Sequence, residues 1–427
     1  MIRPLLRNAL LICLTVLLLT TSVLPPNNTL EHSRAFTRRI EFDYVNWTIK
    51  ALYLKAAQAA FSPTRYIKDE TQKDLVRKYL TLNEQINQTE MQIETIYADP
   101  SIQNPDQIAA PHLRELAGQT EYRGKLALLA ESVLQQQISA TLRDLGLTLA
   151  GQPLPPLLFH ATPLPLALIV SPRDQIRQVA NISLLPDLTL EQIVDLERQV
   201  EQQLNVSALV VNIGGMALYP TMILTTTDFS FLVEVISHEW THNYLTLHPL
   251  GLNYETSPEL RTINETTANL SGKEIQQAMF ARFYPEELPR PDAIPQTTPA
   301  EPDPSTKQSP PPFDFRAEMH QTRITVDALL KEGKIEQAEQ YMEQRRQLFV
   351  ANGYRIRRLN QAYFAFHGAY ADEPGGAAGS DPVGPAVRLL RENSSSLAAF
   401  LRKIAWVTSF DQLQEMLARQ KALAGKF

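Results

Sequence analysis

Residues 238–242 read His-Glu-Trp-Thr-His inside the apolar stretch FLVEVISHEWTHNYLTL, and this pentapeptide constrains the chain more than any other feature. Leu232, Val233, Val235, Ile236 and Leu245 surround it with the spacing of a half-buried helix. On a helix, positions i and i+4 share one face a turn apart, so the imidazoles of His238 and His242 can reach one cation. Glu239 lies beside them. It is too close in sequence to be a third ligand, but it is placed to take a proton from a water activated by a metal. Trp240 and Thr241 are uncharged, whereas a chance match on an exposed helix would carry more charge.

A catalytic zinc takes three protein ligands and keeps one position open, so a further ligand is expected downstream. His248, Glu255, Glu259, Glu265 and Glu274 are the candidates. Glu265 stands in ELRTINETTANLSGKEI, which follows Ser257-Pro258 and reads as a new helix with a serine cap and a proline in its first turn. It is therefore the expected third ligand, with Asn269, one turn on, expected to hydrogen-bond a ligand histidine. His238, Glu239 and His242, followed by Asn264, Glu265 and Ala268, resemble the gluzincin branch of zinc metallopeptidases, which includes thermolysin. The resemblance implies a zincin-like fold, Zn2+ held by His238, His242 and Glu265, and a peptide or protein substrate. Two departures stand out: twenty-two residues separate His242 from Glu265, and Asn269 occupies a position where an aspartate would orient the first histidine.

Upstream, SALVVNIGGMALYPTMILTTTDF reads as two strands joined by a tight turn at Gly214-Gly215, and LALIVSP with NISLLP as an earlier pair. The segment from Gly215 to Leu224 is the expected edge strand, along which an extended peptide could pair. Downstream, Asn360, Tyr363, His367 and Tyr370 fall on one face of a continued helix. Carbonyl hydrolysis builds negative charge on oxygen, so Tyr363 or His367 is the expected oxyanion donor. The order of these segments is also similar to predicted bacterial aminopeptidases; no pattern separates exopeptidase from endopeptidase action.

At the amino end, Arg3 and Arg7 precede an uncharged run from Asn8 to Leu24 that Pro25-Pro26 ends. It reads as a cleaved signal peptide or a membrane anchor, which would put the rest of the chain outside the cytoplasm. Cys13, the only cysteine, lies in that run, so the remainder relies on a hydrophobic core and not on disulfides. A formal net charge of −6, without basic runs, argues against nucleic acid as a partner. Nine of thirty prolines fall between Pro289 and Pro312, in a polar stretch with little to bury. Gly375 to Pro385 reads as a second flexible segment. Helical spacing runs through 36–98, 112–147, 189–204, 316–350 (broken at Gly333) and 395–424.

The expected organisation is a membrane-directed segment (1–30), a helical region (31–150), a zincin-like core (151–288), a Pro-rich linker (289–313) and a C-terminal helical region completing the cleft (314–427). The fold class is α+β, helix-rich, with a small mixed sheet ahead of the metal-binding helix. The expected function is peptide hydrolysis by a zinc metallopeptidase. The alternative from another class is a non-catalytic, membrane-anchored interaction protein that keeps such a fold as a scaffold.

Overall fold

The computed structural model describes Leu11 and residues 28–61, 67–288, 313–373 and 375–424. Apolar residues at three- and four-residue spacing give four helices first: α1 (Thr29–Thr37), α2 (Tyr44–Phe61), α3 (Asp69–Ala98) and α4 (Pro105–Asp144). A small ladder of β1 (Thr148–Leu149) and β2 (Gln152–Pro153) follows. Next come β3 (Phe159–Thr162), β4 (Leu166–Pro172), β5 (Ala180–Leu184), α5 (Leu190–Leu204), β6 (Val206–Val211), β7 (Gly215–Met216) and β8 (Thr221–Leu224). The long helices α6 (Phe229–Thr246) and α8 (Pro258–Phe283) flank the single turn α7 (Pro249–Leu252). The C-terminal part holds α9 (Phe315–Lys331), α10 (Ile335–Ala351), α11 (Gln361–His367), α12 (Val383–Glu392), α13 (Leu397–Ile404) and α14 (Phe410–Ala424). The chain is thus helix-rich α+β with small sheets.

Two of these sheets matter for the site. One has the order β5-β4-β6, antiparallel throughout; the other has the order β3-β8-β7, with β3 parallel and β7 antiparallel to the central β8. LALIVSP and NISLLP pair as expected, Leu168 opposite Ile182. The expected hairpin around Gly214-Gly215 is not formed. Val206–Val211 pairs with β4 in one sheet, whereas Gly215 opens the other, so the chain changes sheets at this glycine pair. The stretch expected as one edge strand is divided by the residues around the Tyr219–Pro220 bond, which leaves β7 on the edge and β8 in the centre.

A large core joins α3 and α4 to α6, α8 and the last three helices through residues such as Leu134, Ile138, Ile236, Trp240, Ile275 and Phe400. On the other side, Ala167, Ile169 and Leu209 of β4 and β6 pack against Ala362 and Phe366 of α11. The arginines preceding α11 fix its approach. Arg357 bonds Glu197 at 2.6 Å and Arg358 bonds Glu201 at 2.8 Å, both on α5. Those arginines hold the helix on the scaffold.

Membrane attachment through the N-terminal apolar run is corrected: among the described residues no helix is long and apolar enough to cross a membrane, and the first element, α1, is short and polar. The run from Asn8 to Leu24 lies outside the described residues apart from Leu11, so neither an anchor nor placement outside the cytoplasm is carried forward. The Pro-rich segment 289–312 also lies outside them. Residues 375–385 are built into the fold: Gly376–Ala378 form a 3-10 turn whose Ala377 carbonyl accepts from Arg323 of α9 at 2.9 Å.

Candidate metal centre

Asp228 caps α6, its Oδ1 accepting from the Phe231 N–H at 3.0 Å. The apolar face of α6, including Leu232, Val233, Ile236 and Trp240, enters the large core, and Trp240 Nε1 also donates to the Pro155 carbonyl at 2.9 Å. Ser257 caps α8 as its sequence implies, accepting from the Leu260 N–H at 3.2 Å with Pro258 in the first turn. The two helices cross at Gly272. A Cβ there would stand 2.9 Å from the Glu234 carbonyl oxygen and 3.2 Å from His238 Cβ. A glycine is therefore what lets α8 approach closely enough to bring Glu265 to the histidines.

His238, His242 and Glu265 converge in a group that could hold a metal ion. His238 Nε2 and His242 Nε2 are 2.9 Å apart, and Glu265 Oε2 is 3.6 Å from the first and 3.4 Å from the second. A tetrahedral ion with bonds of about 2.0–2.1 Å holds its ligand atoms about 3.3 Å apart. His242 Nδ1 lies 2.7 Å from Asn264 Oδ1. An imidazole donating from Nδ1 keeps a lone pair on Nε2, so in neutral His242 that lone pair points toward His238 Nε2. Glu265 Oε2, in a residue only 4 % exposed, has no hydrogen-bond partner. Two ring nitrogens and a carboxylate oxygen that converge on one point can be held together by a shared proton or by a cation.

Charges at the site follow from that crowding. Burial alone would push the His242 imidazolium down, but the carboxylates of Glu265 and Glu239 and the Asn264 amide outweigh it and raise the pKa to about 9. Burial would likewise raise Glu265, yet the two histidines hold its carboxyl well below the usual range. A proton and a cation thus compete for the same place. Glu239 is pushed up, by burial first and by Glu265 next, against the pull of the histidines.

Glu239 faces the same cavity of about 350 Å³, which the triad, Gly215, Tyr254 and Tyr370 also line. Its carboxylate rests on the backbone of β7: a Cβ at Gly215 would meet Glu239 Oε1 at 2.6 Å. Tyr254, from the loop between α6 and α8, donates to Glu265 Oε1. Tyr370 stacks near His238, with ring centroids 6.4 Å apart. Burial and the adjacent Glu265 charge push both phenols well above the ordinary tyrosine value, so both keep their protons.

The other candidates lie elsewhere. His248 Nδ1 is 2.9 Å from the Tyr244 carbonyl, Glu274 pairs with Arg391 at 2.6 Å, and Glu255 and Glu259 line a neighbouring cleft. Asn269 does not reach a histidine; it donates to Asp372 at 3.0 Å, and Asn264 orients His242 in its place. Tyr363 and His367 do not line the metal cavity. They pack on each other with centroids 4.3 Å apart, and burial lowers His367 to about 4 and raises Tyr363 to about 12. Of the expected face, Tyr370 lines that cavity and these two do not. The helical spacing misled because α11 ends at His367, and the turn beyond Gly368 swings Tyr370 out of the expected stripe. Tyr254 gave no signal, since a loop residue has no periodicity to mark it.

No protein-family model, no curated protein and no solved structure matches the chain.

Proposed function

We propose that this chain is a zinc metallopeptidase that hydrolyses peptide bonds. The observation that carries the reading is the position of Glu239, a buried carboxylate with a raised pKa that faces the same cavity as the triad without being part of it. His238, His242 and Glu265 would hold Zn2+, which supplies a Lewis acid that polarises a carbonyl and lowers the pKa of a water. Glu239 takes the proton of the attacking water and passes it to the leaving amine, and its raised pKa narrows the gap between the two transfers. Tyr370 donates its O–H to the carbonyl oxygen as that oxygen gains charge. Asn264 fixes the tautomer and direction of His242. Gly215, Met216 and Ala217 line the cavity along the free edge of β7, where an extended peptide can add as a further strand.

A zincin-like fold is supported by the order of the parts: sheet, helix with the histidine pair, then helix with the glutamate. The test combines elemental analysis with hydrolysis of a peptide library. One zinc per chain and turnover are expected for the wild type, zinc without turnover for Glu239→Gln, and loss of zinc for Glu265→Ala. Turnover by the Gln variant would sink the base assignment, and full zinc in the Ala variant would sink the ligand assignment.

A further inference from the structure

The cavity at the triad adjoins a larger cleft of about 830 Å³, and the residues lining both are Asn181, Tyr254 and Arg261. Arg261, on α8 one turn before Glu265, is only 7 % exposed. Its Nη1 donates to the Ala365 carbonyl at 2.8 Å and its Nε to the Tyr254 hydroxyl at 3.4 Å. Among the described residues it forms no ion pair, and its Nη2 donates to none of them. Less deeply buried guanidiniums here differ: Arg173 pairs with Glu339, Arg358 with Glu201, Arg345 with Glu318 and Arg391 with Glu274. A largely buried guanidinium with no direct ion pair has an N–H left to offer, so an anion that arrives with a ligand would complete it.

The nearest carboxylate, Glu265, acts on Arg261 only from a distance: the Tyr254 hydroxyl stands between them and the two histidines already face it, so no direct ion pair forms. That hydroxyl also sets a distance. Arg261 Nε and Glu265 Oε1 are therefore at most two hydrogen-bond lengths apart, about 6 Å. An extended peptide advances about 3.5 Å per residue, so a substrate group at Arg261 lies about one or two residues from the bond at the triad. A planar fork with a free N–H, flanked by a phenol and an amide, suits a carboxylate and repels an amine.

We propose that Arg261 anchors a substrate carboxylate one or two residues beyond the attacked bond. The site then selects peptides presenting either a free C-terminus or an Asp or Glu side chain there. This rests on the metallopeptidase reading, and binding separates the two. The probes are N-acetylated tetrapeptides prepared as free acids, as C-terminal amides, and as amides ending in Asp or Glu. Their binding to the zinc-loaded Glu239→Gln protein is measured by calorimetry, alone and combined with Arg261→Gln or Arg261→Lys, with zinc content and melting recorded for each.

Free acids are expected to bind about 10- to 100-fold tighter than neutral amides, the range for one charge-assisted pair, and the ratio should fall to near one in Arg261→Gln. Amides ending in Asp or Glu that bind as tightly as the free acids would show that a side chain suffices. If they bind like neutral amides, the C-terminus is the ligand. Equal binding of acids and neutral amides overturns the proposal, as does a preference that survives Arg261→Gln. Should that variant fail to fold, Arg261→Lys carries the test: it keeps the charge but not the fork, and an unchanged ratio overturns the anchor. Acids bound preferentially but never cleaved by wild type would end the peptidase reading and leave the anchor standing. Equal cleavage of acids and amides would do the reverse.

Discussion

His242 Nδ1 and Asn264 Oδ1 lie 2.7 Å apart across the interface of α6 and α8, and Asn264 is the residue before Glu265. One turn of α8 therefore delivers both the carboxylate of the candidate triad and the acceptor that directs the His242 ring toward it. The proposed ligand set is one interlocked unit carried by two helices.

Asn264→Ala should lower zinc affinity about 10- to 100-fold while the fold persists, because His242 loses the acceptor that fixes its tautomer. Competition titration against a chelator reads this directly. Affinity equal to wild type would show that the contact does not orient the ligand.

Gly215→Ala should leave zinc bound and reduce kcat by about 100-fold. The added methyl would stand 2.6 Å from Glu239 Oε1, so the base must move, and a displacement of about 1 Å in a reacting group can cost that much. The expected signature is a change in kcat with little change in zinc content. A variant with wild-type turnover would mean that this carboxylate is not the base.

Tyr370→Phe should cut kcat/KM by about 100-fold or more, in the range found for losing one oxyanion donor, whereas Tyr363→Phe and His367→Ala should leave it within a few-fold. Tyr370 lines the metal cavity and the other two do not. The reverse pattern would return the oxyanion role to α11.

Metal-free and metal-loaded protein should respond to pH with opposite slopes. His242 is raised from 6.5 to about 9 in the folded chain, so without metal its contribution is fully present below pH 6.5 and is lost as the pH rises through 9. A ligand histidine must be neutral, so zinc affinity should rise about tenfold per pH unit over the same window as one proton is displaced. Thermal melts with and without chelator from pH 6 to pH 9 check both. Parallel curves would remove His242 from the metal site.

Much of the architecture was legible because local rules set it. Ser257 marks the start of α8, Gly333 separates α9 from α10, and the alternation in LALIVSP and NISLLP yields a paired β4 and β5. The Gly214-Gly215 hairpin failed because a glycine pair marks a place where the chain can turn but does not say which strand it turns toward.

By itself, the sequence determined which residues could share a cation, since the i, i+4 spacing of His238 and His242 is fixed by helix geometry and Glu265 follows from a recognisable cap. Only the tertiary structure decided what surrounds them. Asn264 and not Asn269 faces His242, Tyr370 and not Tyr363 faces the cavity, Gly215 sits against the Glu239 carboxylate, and Arg261 is buried with the Tyr254 hydroxyl between it and Glu265. Each of these depends on how elements far apart in the chain cross. Periodicity assigns a residue to a face of its own helix, but the packing of one helix or strand against another decides what that face meets.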